Sequence, residues 1–189
     1  MNQSNMDDSE LMSVLERIKL GDIPSYAYII SRFQKRIFLY CYYLLKSHEE
    51  AEDAAQDIFI KGLENITRFS YNVSFSAWLY TIARNHCTDL LKIRSKRYKS
   101  LMQYEINNDY KMENEYTDLI HDLLDNLNME ERQILLLRSL EEYSYDEIAS
   151  IMDIKPTTIR KKYERIRKKL IQQKIEGGKI YEHSYKTGG

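Results

Sequence analysis

Two helical periods meet at a proline in residues 143–170, YSYDEIASIMDIKPTTIRKKYERIRKKL. Ser144 and Glu147 have the spacing of a capping box: the serine accepts from an early helix amide and the glutamate reaches back. Ile148, Ala149, Ile151 and Met152 then give a short helix an apolar side. Ile154 and Lys155 carry the break. Pro156 suits the first position of a new helix, where its missing N–H would have no partner anyway. Beyond it Ile159, Tyr163, Ile166 and Leu170 recur at four, three and four residues and so share one face. The outward face holds Arg160, Lys161, Glu164, Arg165 and Lys168, flanked by Lys162, Arg167 and Lys169. A short helix, a tight turn and a second helix, apolar inside and basic outside, form a helix-turn-helix signature suited to duplex DNA. The plainer alternative is a three-helix bundle with a solvated basic face.

Length and composition narrow the rest. A chain of 189 residues holds one medium domain or two small ones. Two prolines and six glycines, with 43% hydrophobic and 30% charged residues, fit a mostly helical protein. The formal net charge of −1 excludes a uniformly basic coat, so the distribution matters more. Residues 105–131 are acidic, whereas 84–99 and 155–174 are basic, which points to polyanion contact at two separate surfaces. Sixteen tyrosines serve either amphipathic packing or stacking on unpaired bases. The start, MNQSNMDDSE, is polar and acidic and is not a secretory signal. No apolar run approaches a membrane span, so no membrane insertion is expected. Cys41 and Cys87 lack metal or redox spacing and read as reduced thiols of a cytoplasmic protein. His86 beside Cys87 is no zinc site, because adjacent helical residues point apart and no second pair exists.

In chain order, a first helix is expected over residues 7–20, with Leu11, Val14, Leu15 and Ile18 on one side and Gly21 as its stop. A second, over 25–46, carries a nearly continuous apolar stripe. Ser47 and Glu50 offer another capping box before AEDAAQDIFIKGLENI, whose Ala51, Ala54, Ala55, Ile58, Phe59 and Leu63 face inward. Glu52, Asp53, Gln56 and Asp57 fall on an exposed acidic side. Such carboxylates can bind a metal, but no Glu-x-x-His pair accompanies them, and a solvated face or a docking surface for a basic partner fits better. A loop over 68–74 with Phe69 and Tyr71 leads into SFSAWLYTIARNHCTDLLKIRSKR, a fourth helix with a basic end at Arg94, Lys96, Arg97 and Lys99. Aromatics beside a basic helix are what single-stranded nucleic acid needs, since stacking is worth roughly 1–3 kcal/mol per base. Trp78 taken alone reads as core. The periodicity fades over 100–115, which reads as a flexible linker. Helices resume near 116–127 and 128–140, and after residue 175 the polar, glycine-punctuated end reads as a disordered tail. The expected fold is therefore all-α. Residues 1–99 form an N-terminal helical domain, and a linker over 100–115 joins it to a helix-turn-helix domain over 116–174. A tail over 175–189 follows.

Three blocks, AEDAAQDIFIKGLENI, FSAWLYTIARNHCTDLLKIRSKR and YSYDEIASIMDIKPTTIRKKYERIRKKL, occur in an order and spacing that resembles a bacterial RNA polymerase sigma factor of the extracytoplasmic-function (ECF) group. The resemblance covers residues 25–170. It implies that Asp53, Gln56, Asp57 and Phe59 dock on a coiled coil of the largest subunit of core RNA polymerase. It also implies that the loop 69–74, with Phe69, Tyr71, Asn72 and Ser74, captures a flipped base of the promoter's −10 element, with Trp78, Arg84 and Asn85 near the strand. Unstacking a base costs a few kcal/mol, so a fitted pocket in basic surroundings is needed. By position Arg160, Lys161, Glu164 and Arg165 face bases of the −35 duplex, while Lys162, Arg167 and Lys168 suit phosphates. Glu164 can accept from a cytosine amino group, or it can pair with Lys168 four residues on.

The chain departs from the family's habit at two places, with Asp153 where glycine is common and Lys155 where serine is. Aspartate tolerates turn geometry, and losing a serine cap weakens the helix start by roughly 1 kcal/mol. The resemblance implies an anti-sigma factor partner, no cofactor and no catalytic residues. Two other readings stand beside it: a stand-alone helix-turn-helix regulator, and a metal enzyme built on Glu52, Asp53 and Asp57.

Overall fold

The computed structural model describes residues 3–101, 120 and 123–186, and the chain divides into two compact units, residues 1–108 and 109–189. Every regular element among the described residues is helical. None of these helices is long and apolar enough to cross a membrane.

The N-terminal unit contains α1 (Gln3–Lys19), α2 (Tyr26–Leu45), α3 (His48–Glu64) and α4 (Phe75–Leu101), with 3₁₀ turns at Ile23–Ser25 and Ile66–Arg68. The α2 stripe packs against both α3 and α4, burying Ile29, Ile37, Tyr40 and Leu45 with Ile58, Leu79 and Tyr80. Tyr40 and Tyr80 meet edge to face at 5.2 Å. The Tyr26 hydroxyl donates to the Phe59 carbonyl (2.8 Å), and a Cβ at Gly62 would stand 2.7 Å from that hydroxyl, so the close approach of α2 and α3 requires glycine there. Cys41 and Cys87, 46 residues apart in sequence, bring their sulfurs to 3.7 Å in the core. Their mutual hydrogen bond and their burial push the Cys41 thiol far up, which leaves it neutral.

Local chemistry explains the boundaries. α1 stops at Gly21 (φ 101°), and Asp22 locks the turn by accepting from the Arg17 guanidinium (2.6 Å) and the Ser25 hydroxyl (2.7 Å). The Ser25 and then the Arg17 hydrogen bonds hold the Asp22 carboxyl below its usual range. Ser47 caps α3 by accepting from Glu50 N–H. The expected box is only half formed, because the Glu50 carboxylate turns to Arg94 (3.6 Å) instead.

The C-terminal unit contains α5 (Met129–Ser139), α6 (Tyr145–Met152) and α7 (Pro156–Lys186). Its core is Leu124, Leu127, Ile134, Leu137, Ile148, Ile151, Ile159 and Ile166. Ser144 and Glu147 form the expected reciprocal box. Asn128 and Glu131 form a second box that the sequence reading did not find. Glu131 also accepts from Lys169 of α7 (2.6 Å), and Lys162 pairs with Glu130, so α5 and α7 are joined twice by charge. Burial raises the Glu131 carboxyl, but the Lys169 ammonium and the Asn128 N–H outweigh it and hold the group below its usual value.

Asp153 closes α6 in the left-handed conformation (φ 55°, ψ 48°), the geometry for which glycine is favoured. α7 continues to Lys186, past residue 175 where a tail is expected from sequence. Gly177 and Gly178 weaken a helix by about 1 kcal/mol each relative to alanine, but no proline interrupts it. The expected linker falls outside the described residues except for Ser100 and Leu101, which end α4. Of the helix expected near 116–127, residues 120 and 123–127 are described; 120 and 123–125 are helical, whereas Asn126 and Leu127 already lie in the turn that leads to α5.

Candidate nucleic-acid interface

On α7, burial of Ile159 and Ile166 turns the opposite face outward, and Arg160, Lys161, Glu164, Arg165, Arg167 and Lys168 are all exposed on it. Lys162 differs. It is half-buried and paired with Glu130, so it holds α7 onto α5. The partner of Glu164 is Arg167, three residues on at 3.7 Å, not the Lys168 considered from sequence. At the amino end of this face the Tyr145 ring lies 5.3 Å from the guanidinium carbons of both Arg160 and Arg138, and 5.9 Å from the Tyr163 ring. Arg138 also donates to the Tyr143 carbonyl (2.7 Å). A cleft of about 540 Å³ opens between the starts of α6 and α7, lined by Arg138, Tyr145, Thr157 and Arg160. Sequence reasoning missed Arg138 and Tyr145, since only packing brings α5 beside α7.

In the N-terminal unit the residues assigned to strand capture separate into a floor and a rim. Phe69 is 3% exposed, with its ring 5.3 Å from Phe75 and 5.4 Å from half-buried Trp78. It is core rather than a stacking surface, because it anchors the loop to the start of α4. Tyr71 is 43% exposed, and Asn72 and Val73 form the exposed rim with it. Ser74 is exposed, but its hydroxyl accepts from Ala77 N–H (3.1 Å) and starts α4. Farther along α4, Arg84 lies 3.3 Å from the Asn85 side-chain oxygen, and Asn85 is exposed.

The residues assigned to docking sit on the outer ridge of α3 and the grooves beside it. Asp53 and Asp57 line a groove of about 530 Å³ against α4, facing Arg94 and Arg97. Gln56 and Phe59 line a shallower one of about 390 Å³ against α2, with Ile30 and Phe38. Phe59 is 7% exposed and offers only an edge, whereas Ile60, not singled out from sequence, is 55% exposed on the ridge. Among the described residues no three His, Cys, Asp or Glu side chains gather where they could hold a metal ion.

His86 closes the floor of the α3–α4 groove. Lys61 Nζ donates to its Nδ1, so the ring proton sits on Nε2. Nε2 stands 3.4 Å from Asp57, within ion-pair range for a charged ring but without a formed hydrogen bond. Burial first, and then the Lys61 charge, pull the imidazole below its usual value; Asp57 and Asp89 oppose them.

The α3 ridge and the 69–74 loop fall within a match to Sigma-70 region 2 over residues 29–97, and the α7 face within a match to Sigma-70, region 4 over residues 117–170. The chain is 29% identical over 175 residues to the ECF RNA polymerase sigma factor SigW of Bacillus subtilis, covering 84% of this chain and 94% of that protein. It is 27% identical over 181 residues to the ECF RNA polymerase sigma-E factor of Haemophilus influenzae, covering 87% and 94%. Its fold is similar to that of CnrH in complex with the cytosolic domain of CnrY, with a TM-score of 0.67 and 17% identity over 85% of this chain and 94% of that one. It is also similar to the sigma factor RpoE in complex with the anti-sigma factor NepR from Bartonella quintana, with a TM-score of 0.62 and 23% identity over 87% and 93%. With both regions present, in order, and relatives of this group aligned nearly end to end, the chain belongs to the sigma-70 family, in its extracytoplasmic-function group.

Proposed function

We propose that this protein binds core RNA polymerase through its N-terminal unit and directs it to promoters of its own sequence class. The C-terminal unit reads the −35 element as duplex, and the N-terminal unit captures a melted −10 strand. One observation carries this reading: two different surfaces whose chemistry suits nucleic acid, one inside each matched region. The α7 face is a rigid row of exposed cations with one carboxylate, suited to base edges and phosphates of a major groove. The 69–74 loop presents an exposed ring and an exposed amide above an aromatic floor, suited to an unpaired base. Arg160, Lys161, Glu164 and Arg165 face bases, and Arg167 and Lys168 face phosphates. Lys162 contributes through its bond to Glu130. Tyr71 and Asn72 meet the strand directly, Phe69, Ser74 and Trp78 shape the loop, and Arg84 and Asn85 lie along α4.

The α3 ridge, with Asp53, Gln56, Asp57, the edge of Phe59 and the exposed Ile60, is the docking surface for polymerase. Joining two modest DNA sites in one chain raises their combined grip through effective concentration. The role is one of binding, in the cytoplasm, and employs no catalytic residue, metal or cofactor. An anti-sigma factor covering these surfaces is the fitting regulator, as the RpoE of similar fold is found in complex with the anti-sigma factor NepR.

Adding the purified protein to bacterial core RNA polymerase and fragmented genomic DNA, then mapping transcript 5′ ends, tests the proposal. Discrete new starts sharing two upstream blocks at fixed separation are expected. Tight duplex binding by the protein alone, without new starts, would overturn it in favour of a stand-alone regulator.

A further inference from the structure

The 69–74 loop does not stand on its own bonds. Its root is held by two side chains of α1, which lies outside the residues 29–97 that match region 2. The Tyr71 hydroxyl donates to Glu16 Oε1, from a residue 55 positions earlier. Lys19 Nζ donates to the Phe69 carbonyl (3.1 Å), stands 4.2 Å from the centre of the Tyr71 ring, and lies 3.8 Å from Glu16. α1 is itself fixed, with Leu11, Val14, Leu15 and Ile18 buried and its end locked by Gly21 and Asp22. It also packs against the 3₁₀ turn Ile66–Arg68, which delivers the chain into the loop.

Resting on the strand-capture reading above, we propose that α1 is a strut for the capture loop, with Glu16 and Lys19 as positioning residues that aim the Tyr71 ring at the −10 strand. Three consequences follow from the geometry. The Lys19 ammonium covers one face of the ring and the Phe69 ring meets it edge to face at 5.1 Å, so a base stacks on the part of Tyr71 that these two leave exposed. The hydroxyl is occupied by Glu16, so Tyr71 serves the strand by its ring and not by its O–H. Burial and the Glu16 carboxylate push the phenol up to about 12, which keeps that donor in place throughout the neutral range. Asn72 and Val73 at the rim are then presented from a fixed base rather than from a six-residue loop ordered only upon binding.

The test uses holoenzyme assembled from the full chain, at a promoter found by transcript mapping. Melting of the −10 element is followed by permanganate reactivity of unpaired thymines, on the matched promoter and on one with a single altered −10 base. Glu16→Ala and Lys19→Ala are expected to slow melting of the matched promoter by about threefold to tenfold and to lose discrimination against the altered base. Glu16→Gln keeps an acceptor for the Tyr71 hydroxyl and should recover most of both. In a Tyr71→Phe background Glu16→Ala should add little, because its partner is already gone. Binding of core polymerase and of −35 duplex should stay at the wild-type level.

Wild-type melting and discrimination in both alanine variants would overturn the strut and leave the sigma reading standing. Equal slowing on both promoters, with weakened core binding and no rescue by Glu16→Gln, would overturn it in favour of a general stability role for α1. A wild-type protein giving no discrete starts would remove the strand-capture reading and the strut together.

Discussion

The α7 face and the 69–74 loop, the two surfaces proposed to meet nucleic acid, are built in opposite ways. α7 holds its cations on a rod whose backbone bonds are all local, and burial of Ile159 and Ile166, with the Lys162–Glu130 and Lys169–Glu131 pairs, sets its orientation. The loop has few bonds of its own and takes its shape from Phe69 in an aromatic cluster and from Glu16 and Lys19 on a distant helix. A duplex is a regular surface that a rod can meet. A flipped base is a single object that needs a fitted, held pocket. The α7 side chains can therefore be altered one at a time, whereas the loop fails or works as a unit.

The largest expected effect separates the two regions directly. Ile166→Ala removes a fully buried side chain of the C-terminal unit and should cost about 2–5 kcal/mol of its stability. Duplex binding should be lost with it while a pre-melted −10 strand is still bound with polymerase. Calorimetry and binding to forked DNA check both. Loss of the two activities together would break the comparison.

Next in size are substitutions at the surfaces. Arg165→Ala should cost about 1–3 kcal/mol of −35 binding and relax the preference at one base pair. Lys168→Ala should instead weaken all sequences alike and lower the salt slope by about 1. Tyr71→Ala should cost roughly 1–3 kcal/mol of strand capture with little change in salt slope, because stacking releases no counterions. Titrations at several salt concentrations distinguish these outcomes.

Smaller effects come from the two left-handed helix ends, Lys46 (φ 60°) in one unit and Asp153 (φ 55°) in the other. Lys46→Gly should stabilise its unit by about 1 kcal/mol, and Asp153→Gly by less, because a short carboxylate tolerates this conformation and a lysine does not. Denaturant midpoints measure both.

The smallest is a pH effect confined to the N-terminal unit. His86 is depressed in the folded state, so the unfolded chain binds the extra proton first. Its contribution is fully present above the usual histidine value near 6.5 and is lost as pH falls through the folded value. His86→Gln should flatten that part of the profile in thermal melts between pH 5 and 8.

Much of this was legible without coordinates. The 3.6-residue period placed Ile159 and Ile166 inside and Arg160 and Arg165 outside, and the Ser144–Glu147 spacing located the start of α6, because each depends on neighbours within two helical turns. The same logic put Asp53, Gln56 and Asp57 on an outer face of α3. It could not separate floor from rim in the 69–74 loop, because the aromatic character of Phe69 fits a stacking surface and a core equally well and only its 3% exposure shows the ring inside. It also failed at Glu50, whose carboxylate found Arg94 rather than its own helix end.

Sequence by itself determined the helices up to residue 175, their inward and outward faces, the two regions and their order, since backbone bonding and side-chain periodicity are short-range. Only the tertiary structure decided which charges remain outward and which bind helices together, as with Lys162 on Glu130. It also decided how Tyr71 is aimed, because Glu16 and Lys19 lie at least 50 residues away along the chain and approach it only after α1 has packed on the bundle.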